Sequence, residues 1–207
     1  MRAMRTHKKW IVIGGIGIIL VGVLAGKLFL GQKEKDEVGR ADAAYAQEVI
    51  KDGPGGKSRI DGYAGTKSAY GQSDPAAYLA DYSTFLIDQD AVESYVSEQI
   101  AGLESTSFTT GQGLEALLLE KGYDSLDDYQ QDLMEETSFY VKKRLCIYRA
   151  AKDLRLRISE DEYTKLLPSY AQNYGFDSAE AFSYVCLPGS IASEMLYDKT
   201  VNLLKEK

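Results

Sequence analysis

Paired carboxylates are the first residues of this chain that could carry chemistry. Glu160, Asp161 and Glu162 stand together, as do Asp127 and Asp128. Such groups do acid–base work when their surroundings push their pKa values apart. Here each set follows a helix-start signal, where the positive end of the helix macrodipole accounts for acids without any catalytic role. The natural base at neutral pH would be histidine, and the single one is His7, before the first apolar run. Beyond it there is no imidazole for a Ser-His-Asp or Cys-His arrangement, or for the usual zinc sites. Cys146 and Cys186 are too sparse for a disulfide framework or a metal knuckle. They read either as one bridge or as buried free thiols. Gly56-Lys57-Ser58 has the ending of a phosphate-binding loop. However, Lys51 stands where the motif needs its first glycine, and no helix is expected after Ser58, so it is rejected as a nucleotide site. No catalytic residue, cofactor or metal is assigned.

The elements around these residues are helical. After a segment with six glycines and two prolines between residues 52 and 75, the periodicity predicts helix after helix. Ala76–Leu86 is short, and Asp90–Leu103 carries Val92, Tyr95, Val96, Ile100 and Leu103 on one face. Polar residues 104–113 are expected to interrupt, and Leu114–Lys121 follows, closed by Gly122. Asp124 then caps a helix of about eight turns, with Leu126, Tyr129, Leu133, Tyr140, Val141, Leu145, Tyr148 and Leu154 along one side. Lys142, Lys143, Arg144 and Arg149 read as a solvated basic band. Ser159–Glu162 is a capping box for a helix carrying Tyr163, Leu166, Leu167, Tyr170 and Tyr174, which Pro168 should kink. Asp177 caps a further helix ending at Leu187-Pro188-Gly189, and a last one runs over Ser190–Leu204. Gly122-Tyr123-Asp124-Ser125 and Gly175-Phe176-Asp177-Ser178 repeat one helix-to-helix turn. Shared turn physics explains the echo without a solenoid.

Residues 10–30 decide location. From Trp10 to Gly26 there is no charge, and Leu28-Phe29-Leu30 resumes the run once the Lys27 stem snorkels, which gives about 20 residues, enough to span a bilayer. Arg2, Arg5, Lys8 and Lys9 hold residues 1–9 on the cytoplasmic side. Val23-Leu24-Ala25 would serve as a cleavage site, but the apolar stretch continues past it, which favours an uncleaved signal-anchor over a cleaved signal peptide. The domains expected are thus a basic tail (1–9), a transmembrane anchor (10–30), a Gly-rich linker (31–75) and an extracytoplasmic helical domain (76–207). Of the 24 Lys/Arg, five precede Gln32 and no acid does, so 19 Lys/Arg face 31 Asp/Glu beyond it. An acidic surface of this kind argues for solubility and against nucleic acid or anionic lipid as partners.

Residues 122–207 resemble the C-terminal domain of the trigger factor family. The stretches that carry the likeness are Ile158–Glu162 (ISEDE), Tyr174–Phe182 (YGFDSAEAF) and Leu196–Leu204, in that order and spacing, over roughly 40% of the chain. The resemblance implies an all-α, SurA-like chaperone domain whose helical arms cradle unfolded chains. The family's Gly-Phe-Arg-type ribosome-binding loop is missing. The stretch before Pro75 is also too short for its prolyl isomerase domain, which needs about a hundred residues.

Fifteen tyrosines give large contact area with a polar edge, as an adaptable peptide surface needs. For any single tyrosine a place in the core is the more frequent outcome. As a set, Phe139, Tyr140, Tyr163, Tyr170 and Tyr174 are the candidates for client contact. The function expected is a membrane-anchored extracytoplasmic chaperone-like protein that grips unfolded or newly translocated polypeptides without covalent chemistry. The alternatives are an envelope assembly protein with one dedicated partner, and a prolyl isomerase-related folding factor.

Overall fold

The computed structural model describes residues 53–207. The basic tail, the expected span 10–30 and residues 31–52 of the expected linker lie outside the described residues. Among the described residues no helix is long and apolar enough to cross a membrane.

Among the described residues seven α-helices carry the fold, with one small ribbon. Strand β1 (Arg59–Gly62) opens it, followed by a 3-10 turn (Thr66–Ala69), α1 (Pro75–Tyr82) and strand β2 (Thr84–Leu86). Then come α2 (Gln89–Thr110), α3 (Leu114–Lys121), α4 (Leu126–Asp153), α5 (Glu160–Asn173), α6 (Ala179–Val185) and α7 (Pro188–Glu206). β1 and β2 pair antiparallel, Arg59 with Leu86 and Ile60 with Phe85, and slip by one residue before Gly62 meets Thr84. The mostly helical class is as expected. The expected linker boundary at Pro75 falls inside the fold, however. Ala69 is fully buried, and the Gly71 N–H donates to the Leu204 carbonyl at 2.9 Å, tying the segment before α1 to the end of α7.

The second half of α4 is the spine. Val141, Leu145, Tyr148 and Ala151 pack with Ile158, Phe182, Ile191, Met195 and Leu196 from the chain that follows. Cys146, Ile147 and Ala150 pack the other way, with Ala69, Ala76, Leu79 and Leu204. A helix apolar on both sides has to be sandwiched, and this half of α4 is. The first half of α4 joins α2 and α3 in an arm with its own small core, where Leu103, Leu117 and Leu118 pack with Leu114, Tyr123, Leu126 and Tyr129.

Local signals set most helix ends, often one residue from where they were expected. Ser125 and Ser178, not Asp124 and Asp177, are the caps; their hydroxyls accept from the N–H of Asp128 and Ala181, each at 3.1 Å. The preceding glycines explain the shift. Gly122 and Gly175 take left-handed φ of 85° and 77°, and the next residue donates back across the turn, Tyr123 N to the Leu118 carbonyl and Phe176 N to the Ala171 carbonyl, both 2.9 Å. That closure takes up the glycine and the aromatic, and one further residue, Asp124 or Asp177, precedes the extended serine cap. The α2 helix runs through the polar residues expected to interrupt it, to Gly111 in the left-handed region. Thr106, Thr109 and Thr110 each donate to the carbonyl four residues back, which satisfies their hydroxyls within the helix. Pro168 lies within α5, which continues to Asn173. Pro188 begins α7 instead of ending α6, because at the first helical position it gives up only an N–H that had no partner.

Candidate functional site

The densest polar arrangement is built by α4, α5 and α7 around Arg144. Tyr140, Arg144 and Tyr148 stand at four-residue steps on α4, so one face of the helix presents ring, guanidinium and ring. On α7, Glu194, Tyr197 and Asp198 share a face by the same spacing. Arg144 is only 4% exposed. Its Nη1 pairs with Glu194 Oε1 at 2.7 Å, and Nη2 donates to the Tyr148 hydroxyl. The guanidinium carbon lies 5.3, 5.0 and 5.2 Å from the rings of Tyr140, Tyr148 and Tyr197. A buried cation with an acid partner and three ring faces is compensated on every side. Burial opposes the Arg144 charge, but Glu194 and the surrounding phenols outweigh it and hold the pKa above the usual arginine range. Burial also pushes the Tyr140 and Tyr197 phenols up, and proximity to Arg144 offsets this only in part.

From α5, Tyr170 donates to Asp198 Oδ2 at 2.5 Å, and Tyr174 stacks on Phe182 with ring centres 5.4 Å apart. Burial raises both phenols, and Glu194 and Asp198 add to the shift. A second link between the same helices joins the start of α5 to α7: Lys199 Nζ donates to Glu162 at 2.5 Å and to the Arg157 carbonyl at 3.0 Å. Glu162 is also the acid of the capping box, its carboxylate accepting from Ser159 N at 3.1 Å. The Lys199 bond first, and the Ser159 N–H second, hold its carboxyl below the usual glutamate range.

Three of the five candidate contact residues, Tyr140, Tyr170 and Tyr174, come together around this centre. Phe139 lies apart, with Lys143 Nζ 5.1 Å from its ring centre. Tyr163 is 7% exposed and packs in the main core. The basic band expected to be solvated divides. Arg144 turns inward, Lys142 lies over Phe85 at 5.9 Å and Arg149 over Tyr63 at 5.7 Å. Glu194, Tyr197 and Asp198 were not foreseen. Their spacing on α7 is the one signal in the sequence, and it does not say which helix they face.

Chemically this centre is saturated. The two cysteines are buried and unbridged, and burial pushes each thiol up to about 11, far from the thiolate a nucleophile needs. Cys146 Sγ donates to Ser83 Oγ at 3.7 Å. The acids of Glu160–Glu162 and Asp127–Asp128 sit in first helical turns. Ser58 leads into β1, its hydroxyl accepting from the Asp88 N–H at 2.8 Å, so Gly56-Lys57-Ser58 forms a turn onto the cap of α2. Among the described residues no group of three or more His, Cys, Asp or Glu is placed to hold a metal ion.

The fold and this centre thus define a helical domain whose polar core is an ion pair wrapped in tyrosines, with an attached helical arm. Comparison with family models, curated proteins and solved structures found no match to the chain.

Proposed function

We propose that this is a membrane-anchored, extracytoplasmic chaperone-like protein that holds unfolded or newly translocated polypeptides by non-covalent contact. The trigger factor- and SurA-like reading of residues 122–207 and the anchor at residues 10–30 are parts of this proposal. One observation carries it: the arm made by α2, α3 and the first half of α4 ends in exposed apolar side chains. Phe108 is 91% exposed and Leu119 63%, beside a small core of three buried leucines. Large apolar groups held in water at the end of a lightly packed arm are suited to gripping and releasing extended chains.

The test is suppression of aggregation of a chemically unfolded protein by residues 53–207, a fragment that keeps β1 and the 3-10 turn with the helices they pack against. Suppression at several-fold molar excess is expected, and Phe108→Ser with Leu119→Ser should weaken it without lowering helix content. Absence of any suppression by the folded fragment refutes the reading.

A further inference from the structure

Charge is segregated along this chain in an order that makes one helix face complementary to itself. Residues 88–141, forming α2, α3 and the first half of α4, hold thirteen Asp/Glu and one Lys. From Lys142 to Arg157 the order inverts, with seven Lys/Arg and one acid, Asp153. A single side of α4 spans the inversion. Asp127, Gln131 and Glu135 follow at four-residue steps, and Lys142 and Arg149 at seven-residue steps, so all five lie along one stripe. Lys142 is half-buried and the other four are exposed. Their partners within the chain are weak. Arg149 reaches Asp153 at 3.2 Å in an exposed pair, Lys142 lies over Phe85, and Glu135 accepts from Gln131 at 3.3 Å.

We propose that two copies of this chain associate antiparallel along this face of α4, about a two-fold axis near Ser138. The spacing sets the register. With Ser138 on the axis, Asp127 faces Arg149 of the second copy, Glu135 comes within one residue of the position facing its Lys142, and Asp124, in the turn before α4, lies nearest its Lys152. An isologous interface needs one patch that complements itself, and each of these pairs then occurs twice. Antiparallel α4 helices also set the positive macrodipole end of one beside the negative end of the other. A parallel arrangement would place acid against acid along both arms, which disfavours it. This association goes beyond the chaperone reading and stands or falls separately from it, because it concerns a charged stripe and not the apolar end of the arm.

The experiment mixes full-length chains labelled with heavy nitrogen and unlabelled chains, then joins touching carboxylate–amine pairs with a zero-length carbodiimide. Mixed-isotope products joining Asp124 to Lys152 and Glu135 to Lys142 are expected. They should disappear in about 1 M NaCl, where the screening length is about 3 Å. Glu135→Lys alone, or Lys142→Glu alone, should cut the mixed Asp124–Lys152 product at least about five-fold, and the two changes combined in one chain should restore it. Products confined to one isotope, mixed products at unrelated positions, or a combined variant no better than the single ones overturn the proposal. So does crosslinking of the stripe to some other basic polypeptide while the chain itself stays monomeric.

Discussion

Arg144 on α4 and Glu194 on α7 meet at 2.7 Å with their side chains 5% and 21% exposed, an ion pair sunk between these two helices. Fifty residues separate them in sequence, so the pair exists only once α7 has docked. Glu194→Gln leaves a buried guanidinium short of its anion. We expect a loss of about 3–5 kcal/mol of unfolding free energy, read by urea denaturation. Replacing both partners by apolar residues of similar size, Arg144→Met with Glu194→Leu, should recover most of that loss. A single variant as stable as the parent would show that the pair contributes nothing.

The turn between α4 and α5 repeats the closure seen at Gly122 and Gly175, but with arginine where they have glycine. Arg155 sits at φ 53°, Arg155 N donates to the Lys152 carbonyl at 3.1 Å, and Leu156 N donates to the Ala151 carbonyl at 2.9 Å. A side chain in the left-handed region costs about 1–2 kcal/mol, and the Arg155 side chain is exposed. Arg155→Gly should therefore raise stability by about 1 kcal/mol, and Gly175→Ala should lower it by a similar amount, both measured as midpoint shifts in urea.

Gly102 lies inside α2, exposed, and a methyl group added there would meet nothing within 4 Å. Glycine at an open helix interior costs roughly 0.5–1 kcal/mol relative to alanine. Gly102→Ala should slow amide hydrogen exchange in α2 and α3, where the arm's own small core governs opening, and leave exchange in α7 unchanged. Equal slowing throughout would mean that the arm does not open by itself.

Two pH limbs follow from groups whose pKa values differ on folding. The Glu162 carboxyl is held low by Lys199, so its contribution is present above the usual glutamate range and is lost as pH falls through the lowered folded value. In Glu162→Gln the acid limb of a stability–pH curve should be shallower. Burial pushes the phenols of Tyr63 and Tyr95 up to about 12. Their folded pKa values lie above the unfolded value near 10, so their contribution is intact below pH 10 and vanishes as pH rises through about 12. Phenolate absorbance should accordingly lag that of free tyrosine and rise together with unfolding.

What could be read from the sequence was local. The capping box at Ser159 and Glu162, the glycine closures at Gly122 and Gly175, and the inward stripe Val141–Leu145–Tyr148 rest on interactions within a few residues, and they stand as expected to within a residue or two. The continuation of α2 past Glu104 was missed because hydroxyl groups that usually disfavour helix can bond back to the previous turn. The linker boundary was misplaced because residues 59–71 owe their order to partners more than twenty residues ahead: Leu86 for Arg59, Cys146 and Asp153 for Tyr63 and Thr66, and Leu204 for Gly71.

Composition and period by themselves determined that this chain makes amphipathic helices with capped ends, and that its only histidine precedes them. Tertiary structure alone decided that Arg144 leaves its basic neighbours and turns inward, and that Tyr140, Tyr170 and Tyr174 gather around it while Phe139 and Tyr163 do not. Spacing fixes which residues share a face of one helix. Which faces meet depends on the docking of α5 and α7, and there the desolvation of a charge is offset only by partners brought from a distant part of the chain.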